Sequence, residues 1–146
     1  MIYKIFQFAN SFSPGRGAQA HCDIPCGIYV IEPARTAAST VAKMVEKITA
    51  LPSTSDLQTR NSFARMVQEK EEQAQKCKEE LLILWTDYFK PEHLAMFPNL
   101  HETFWKAAKL CSYNKQNVDS AKSQELMDAV AKISDMFAKA EAAKKK

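Results

Sequence analysis

The feature that most constrains this chain is the placement of the residues that break helices. All three glycines lie within the first 27 residues, and three of the six prolines lie before residue 34. Because glycine and proline are the residues that helix interiors tolerate least, the long remainder of the chain is free to be helical. The other prolines, Pro52, Pro91 and Pro98, then mark places where one helix ends and another begins.

Four amphipathic patterns fill this remainder, over about residues 33–51, 56–89, 100–111 and 115–145. In each pattern, apolar residues recur at the i, i+3, i+4 spacing of one buried helix face. The predicted inward residues are Ala37, Val41, Met44, Val45, Ile48, Phe63, Val67, Ala74, Cys77, Leu81, Leu84, Tyr88, Leu100, Phe104, Ala107, Ala108, Cys111, Leu126, Ala129, Val130, Ile133, Met136, Phe137 and Ala140. The two cysteines among them are expected to be small buried hydrophobes. The sequence therefore predicts an all-α protein, a four-helix bundle over about residues 33–145.

Composition and charge exclude several classes of protein. Hydrophobic residues make up 46% and charged residues 25% of the chain, which is typical of a soluble globular domain. The net charge of +3 is too small to indicate nucleic-acid binding, and the terminal Lys144-Lys145-Lys146 is expected to be a solvated helix end. No apolar run approaches the ~20 residues that a membrane-spanning helix needs. We expect no nucleic-acid partner and no membrane partner.

Residues 1–20 follow a different pattern from the rest. They contain no acidic residue, have a short apolar stretch from Ile2 to Phe8, and end in Ala18-Gln19-Ala20, the small-x-small pattern of a cleavage site. We expect them to be a leader that a protease removes, leaving residues 21–146; the alternative is an unstructured tail that stays attached. Removal would take away two basic residues and lower the charge from +3 to +1. The expected location is cytoplasmic, or organellar or exported if the leader is a targeting peptide.

The segment after the leader combines one histidine with two cysteines, in the order His21-Cys22-Asp23-Ile24-Pro25-Cys26-Gly27-Ile28-Tyr29. As an internal segment it falls short of the four ligands of a structural zinc site. Cleavage before His21 would free an α-amine, which could join the Cys22 amide nitrogen and two thiolates in one plane, with the imidazole as an axial ligand. Planar nitrogen and sulfur donors suit nickel or copper(II) better than tetrahedral zinc. From the residues alone, a Cys22–Cys26 disulfide and a partial zinc site both stay open.

Two runs of sequence carry a resemblance to a known family. The run HCDIPCGIY resembles the metal-binding hook of the nickel superoxide dismutases, and LWTDYFKPEH, from Leu84 to His93, is similar to a second segment of that family, as is the following FPNLHETFWKAAKL. The resemblance implies a four-helix bundle assembled as a homohexamer with one nickel ion per subunit. It implies that the protein disproportionates superoxide to dioxygen and hydrogen peroxide by Ni(II)/Ni(III) cycling. The implied metal ligands are His21, Cys22 and Cys26.

The same resemblance implies a pocket around the open face of the metal. Its residues would be Asp23, Tyr29, Tyr88 and Lys90, and Pro25 stands where the family makes a cis peptide. Phenol hydroxyls can order the waters that deliver protons, and Lys90 can provide a local positive charge for an anion. An ion pair between Asp23 and Lys90 would also hold the hook against the bundle.

The chain departs from the family at the support of the axial imidazole. The family often places a glutamate on the first helix and an arginine on the second, whereas Ala37 and Gln73 stand at those positions here. Loss of both partners leaves no charge unpaired, and it affects the axial ligand rather than the equatorial ones. Arg35 or a group of another subunit is a candidate replacement. A non-catalytic, metal-binding helical bundle remains the alternative function.

Overall fold

The computed structural model describes residues 27–53 and 56–144, and within these ranges it contains four α-helices and no β-strand. The helices are α1 (Glu32–Thr49), α2 (Leu57–Ile83), α3 (Leu100–Gln116) and α4 (Ser120–Lys144). Between α2 and α3 the chain forms a π-helical turn, Leu84–Tyr88, and a 3₁₀ turn, Pro91–Leu94. The predicted all-α four-helix bundle is confirmed. None of the described helices is both long enough and apolar enough to cross a membrane.

Local chemistry sets the ends of these helices. Pro33 lies in the first turn of α1, where its missing N–H costs nothing. Asp56 caps α2, because its side chain accepts a hydrogen bond of 3.0 Å from the Thr59 backbone N–H. Lys90 is extended, as expected for a residue before proline, and the 3₁₀ turn begins at Pro91.

The helices pack in a ring, in which each contacts the next along the chain and α4 closes on α1. The apolar faces meet inside this ring, and most of the predicted inward residues are buried there. The fully or nearly fully buried ones are Ala37, Val41, Val45, Ile48, Ala74, Cys77, Leu81, Leu84, Tyr88, Leu100, Phe104, Ala107, Cys111, Leu126, Val130, Ile133, Met136 and Ala140. The two cysteines are reduced and buried, as expected for small hydrophobes.

The prediction that Phe63 lies in the core is wrong, because its side chain is 48% exposed. The cause is the length of α2, which extends beyond the end of α3. Lys70 of α2 donates hydrogen bonds to the last carbonyls of α3, those of Asn114 and Lys115. Phe63 lies about two turns before Lys70, where α3 has already ended and offers nothing to pack against.

Two predicted boundaries also differ from the structure. The turn expected at 112–114 is helical, and α3 continues to Gln116. Polar side chains are accommodated there because they bond to the preceding turn: Ser112 Oγ donates to the Ala108 carbonyl and Asn114 Nδ2 to the Leu110 carbonyl. The second helix, expected to reach residue 89, is α-helical only to Ile83 and then widens into the π-helical turn.

Candidate metal centre and its pocket

The predicted ligands His21, Cys22 and Cys26, together with Asp23 and Pro25, lie outside the described residues. The description begins at Gly27, directly after the second cysteine, with a φ of 92°. This is the left-handed region, which glycine adopts freely and other residues adopt at a cost. The chain therefore turns within the hook run, directly after its second cysteine.

Tyr29 joins this segment to the bundle. Residues 28–30 have no regular secondary structure, and Tyr29 is partly buried whereas its neighbours Ile28 and Val30 are 60% and 54% exposed. The Tyr29 ring meets the Tyr88 ring edge to face, with 5.6 Å between centroids. Two residues that are distant in sequence and predicted to share one pocket are thus in contact.

Tyr88, which the sequence predicts to line the pocket, is almost completely buried. The π-helical turn allows this, because Phe89 donates its backbone N–H to the carbonyl of Leu84 at 3.0 Å and both Tyr88 and Phe89 face the interior. The Tyr88 ring centroid lies 4.6 Å from that of Phe137 and 4.9 Å from that of Phe89. Tyr88 is therefore fixed in place by aromatic packing from α4 and from its own turn.

The hydroxyl of Tyr88 has a charged partner. It donates a hydrogen bond of 2.5 Å to Oε1 of Glu141, near the end of α4. Burial raises the pKa of Tyr88 well above its usual value, and the hydrogen bond and the negative charge of Glu141 raise it further. Lys144 in turn donates to Glu141 Oε1 at 2.7 Å, and its Nζ lies 4.2 Å from the Tyr88 ring centroid.

Lys90 lies two residues beyond Tyr88, and its side chain is exposed. Its backbone N–H donates to Nδ1 of the buried His93 at 2.9 Å. The His93 ring is stacked on the Tyr88 ring, with 5.8 Å between centroids and 13° between planes. His93 therefore positions the backbone of Lys90 against the ring of Tyr88.

His93 and Glu141 are the polar partners that sequence reasoning missed. His93 lies inside the run that resembles the family, so its position was visible although its contacts were not. No sequence pattern distinguished Glu141, because it is one of many charged residues on α4 and is separated from Tyr88 by 53 residues. Only the packing of α4 across the π-helical turn brings it to the hydroxyl.

The structure describes both positions, 37 and 73, at which the sequence departs from the family pattern. Ala37 is fully buried in the core, and Gln73 donates to Glu69 on its own helix at 2.9 Å. Arg35, the candidate replacement, forms an exposed ion pair with Glu32 at 3.1 Å. Among the described residues, then, neither position supplies the glutamate–arginine support, and Arg35 is engaged on the surface.

The donor set decides which ion the hook suits. Within residues 27–53 and 56–144, no three His, Cys, Asp or Glu side chains are grouped so that they could hold a metal ion. The nitrogen and sulfur donors predicted for residues 21–26 are of the kinds that suit a nickel ion. The fold is a helical bundle whose buried Tyr88 contacts Tyr29, and Tyr29 follows a segment whose sequence carries metal-ligating residue types.

Comparison with known proteins identifies the family. Residues 16–141 match the family model of the nickel-containing superoxide dismutases. The superoxide dismutase [Ni] of Streptomyces seoulensis is 37% identical over 126 residues, which cover 86% of this chain and 92% of that protein. The corresponding protein of Streptomyces coelicolor is 36% identical over the same length, with the same coverage. A crystal structure of Ni-containing superoxide dismutase, with Ni ligation corresponding to the oxidized state, has a TM-score of 0.72 and 36% identity, covering 84% of this chain and 99% of that one.

The chain belongs to the nickel-containing superoxide dismutase family. It is an oxidoreductase, its cofactor is nickel, and its reaction is the dismutation of superoxide.

Proposed function

We propose that residues 21–146 form the working enzyme after a protease removes residues 1–20, and that His21, Cys22 and Cys26 hold the nickel ion. The observation that carries this proposal is the contact between Tyr29 and Tyr88. Tyr29 follows the second cysteine by three residues, so its contact brings the end of the hook segment to the wall that also carries Lys90. The hook and the second family-like run then belong to a single site.

The donor set explains why cleavage would matter. An intact peptide bond between Ala20 and His21 offers an amide, which is a poor donor, where the processed chain offers an amine. Bound nickel supplies the one-electron oxidation and one-electron reduction of superoxide. Two superoxide ions and two protons give one dioxygen and one hydrogen peroxide.

The pocket residues attract the anion and handle its protons. Lys90 places a positive charge at the surface beside Tyr88, and with a processed charge near +1 any electrostatic guidance must come from such local groups. Tyr29 and Tyr88 hold water near the open face of the site, from which a departing peroxide takes its protons. Asp23 would pair with Lys90 and hold the hook closed.

The proposed assembly is a homohexamer. Support comes from large apolar side chains that the single chain leaves exposed, among them Ile28, Val30 and Trp105. Exposed apolar surface of this kind is typical of interfaces between subunits. Ile28 and Val30 flank Tyr29, so a neighbouring subunit that covered them would also close the edge of the pocket. The proposed location is the cytoplasm, or an organelle or the exterior if residues 1–20 are a targeting peptide.

The test uses processed chain that begins at His21 and is loaded with nickel. We expect one nickel ion per chain and superoxide turnover, with both lost in Cys22→Ser and Cys26→Ser variants whose helical content is unchanged. Cys77→Ala is the matched control, since it removes a thiol from the bundle core and should leave nickel binding intact. Full nickel occupancy without turnover would instead indicate a non-catalytic metal-binding bundle. A metal-free chain lighter by two hydrogens would indicate a Cys22–Cys26 disulfide.

A further inference from the structure

We propose that Glu141 is a positioning residue for superoxide turnover. Its carboxylate accepts the hydrogen bond that the Tyr88 hydroxyl donates, so the Tyr88 oxygen can only accept hydrogen bonds from water in the pocket. The inference rests on the proposed function, which places Tyr88 in the pocket wall. It adds a residue from the far end of the chain, on a different helix, to the groups that act on the reaction.

The direction of the hydrogen bond follows from its chemistry. An ionised carboxylate can only accept, so in the Tyr88–Glu141 pair the phenol must be the donor. The distance of 2.5 Å is that of a charge-assisted O–H···O⁻ bond, the stronger kind of hydrogen bond. Because Tyr88 is almost completely buried, water competes less for this hydrogen bond than it would for a hydroxyl at the surface.

The hydrogen bond from Tyr88 to Glu141 fixes the orientation of any water that bonds to the Tyr88 oxygen. A tyrosine hydroxyl has one hydrogen to donate and lone pairs with which to accept. Since the hydrogen of Tyr88 is taken by Glu141, any water that bonds to the Tyr88 oxygen must donate to it. Such a water is oriented, with its oxygen and second hydrogen turned away from Tyr88 toward the site. Glu141 thus acts through Tyr88, without touching substrate itself.

Lys144 makes this arrangement compatible with an anionic substrate. An unpaired carboxylate beside the pocket would repel superoxide. Lys144 donates to the same oxygen, Oε1 of Glu141, at 2.7 Å and lies over the Tyr88 ring, so the last turn of α4 contributes no net charge. The negative charge can therefore orient Tyr88 while its effect on an approaching anion is balanced.

The experiment is a double-mutant cycle on processed, nickel-loaded protein, with kcat/KM for superoxide as the readout. Glu141→Gln keeps the shape of the side chain, but its amide can donate as well as accept, so the direction of the Tyr88 hydroxyl is no longer fixed. We expect kcat/KM to fall, but by less than the roughly 100-fold that loss of a whole acid–base group costs, because the Tyr88 hydroxyl itself remains. In a Tyr88→Phe background the same substitution should not lower kcat/KM, since there is no hydroxyl left to orient.

Glu125→Gln is the matched control. Glu125 lies on the same helix and pairs with Lys122 at 2.8 Å, the same type of i, i+3 ion pair, but it is about 24 Å along the helix from Glu141. A loss in Glu141→Gln no larger than in Glu125→Gln overturns the proposal. So does an equal loss in the Tyr88→Phe background, which would reveal a role that bypasses the hydroxyl.

A nickel-independent readout separates this inference from the proposed function. Chain labelled with ¹³C at the tyrosine Cζ gives a Tyr88 resonance, assigned by its loss in Tyr88→Phe. Glu141→Gln should shift that resonance and Glu125→Gln should not; an unshifted resonance overturns the inference. Lack of turnover by fully nickel-loaded wild type would overturn the proposed function instead, and the resonance would still decide whether Glu141 directs the hydroxyl.

Discussion

Tyr88 combines an apolar environment for its ring with a charged partner for its hydroxyl. Rings of Tyr29, Phe89, His93 and Phe137 surround it, and Glu141 accepts a hydrogen bond from its hydroxyl. Both features favour the neutral phenol, burial because it penalises the ionised form and the carboxylate because it repels a second negative charge. The same features that suit Tyr88 to ordering water therefore also make it sensitive to alkaline conditions.

Substitution Tyr88→Phe should make the fold less sensitive to high pH. The folded state raises the pKa of Tyr88 above the ordinary value of 10.0, so the native chain binds this proton more tightly than the unfolded chain does. The stabilisation is fully present below pH 10 and is lost as the pH rises toward the higher folded-state value. Urea unfolding at pH about 8 and about 10.5 should show a larger fall in the free energy of unfolding for wild type than for Tyr88→Phe. Equal falls in both proteins would contradict the prediction.

Single residues also show what sequence could and could not provide for the site. Tyr29, Tyr88 and Lys90 were predicted from two runs that resemble a family, and the structure brings the first two into contact. Glu141 could not be predicted, because a glutamate on the charged face of a helix has no pattern that distinguishes it from its neighbours. Its role depends on which part of α4 passes the π-helical turn, and that is decided by packing of the whole helix.

At the scale of elements, helix identity was predictable and helix ends were less so. Apolar periodicity identified α1 to α4 because a 3.6-residue repeat persists over many turns. The π-helical turn could not be predicted from the sequence, since one widened turn barely changes the apolar periodicity of a long helix. The overhang of α2 was missed as well, because the length of one helix relative to its neighbour depends on tertiary packing, and Phe63 was consequently placed in the core.

The junction of α2 with α3 depends on a buried lysine. Lys70 is 2% exposed and donates to the Asn114 and Lys115 carbonyls, which α3 leaves without helical partners at its end. Burial lowers the pKa of Lys70, because desolvation disfavours the charged form, and the negative charge of Glu71 opposes this shift. We expect Lys70→Met to lower the free energy of unfolding by about 1–3 kcal/mol, the cost of leaving buried acceptors unpaired.

Chemical denaturation of Lys70→Met measures this effect, and Lys78→Met provides its matched control. Lys78 also reaches from α2 to α3, donating to Ser112 Oγ at 3.1 Å, but it is less buried. Its loss should cost about 0.5 kcal/mol or less. Similar losses in both variants would show that Lys70 does not cap α3 in the way its contacts indicate.

The hook run should be sensitive to substitution at Gly27. Its φ of 92° disfavours other residues, and a Cβ added there meets no atom of the described residues within 4 Å, so we expect the effect of Gly27→Ala to be conformational rather than steric. The cost is about 1 kcal/mol. Because metal ligation and hook folding are coupled, we expect this cost to weaken nickel binding roughly fivefold. Competition against a chelator measures this, and the melting temperature of the metal-free bundle should not change.

Gly27→Asn is the control for that explanation. Asparagine adopts left-handed backbone more readily than alanine, so its nickel affinity should lie between those of Gly27→Ala and wild type. An affinity of Gly27→Ala equal to that of wild type would show that this backbone conformation is not needed for binding.

At the scale of the whole molecule, the bundle and the hook depend on different kinds of information. Burial of apolar faces specifies a helical bundle from pattern alone, which is why the fold class was predictable. A nine-residue metal hook has too few apolar residues to fold by burial, so its prediction depended on a specific motif and on family resemblance. The proposed assembly of subunits would depend in turn on exposed side chains, which helical periodicity does not assign to an interface.

Ile28 and Val30 allow that assembly to be tested together with the site. They lie on either side of Tyr29, with 60% and 54% of their surface exposed in the single chain. If a neighbouring subunit covers them in the proposed hexamer, a charged residue there must either be buried unpaired or prevent association. We therefore expect Ile28→Asp combined with Val30→Asp to dissociate the processed hexamer and lower turnover, while helical content stays unchanged. Native mass spectrometry and superoxide turnover measure the two effects. Lys139→Asp, which changes an already polar surface position on α4, is the control and should leave the number of subunits in the assembly unchanged. A double variant that stays hexameric and active would show that this edge of the pocket is not an interface.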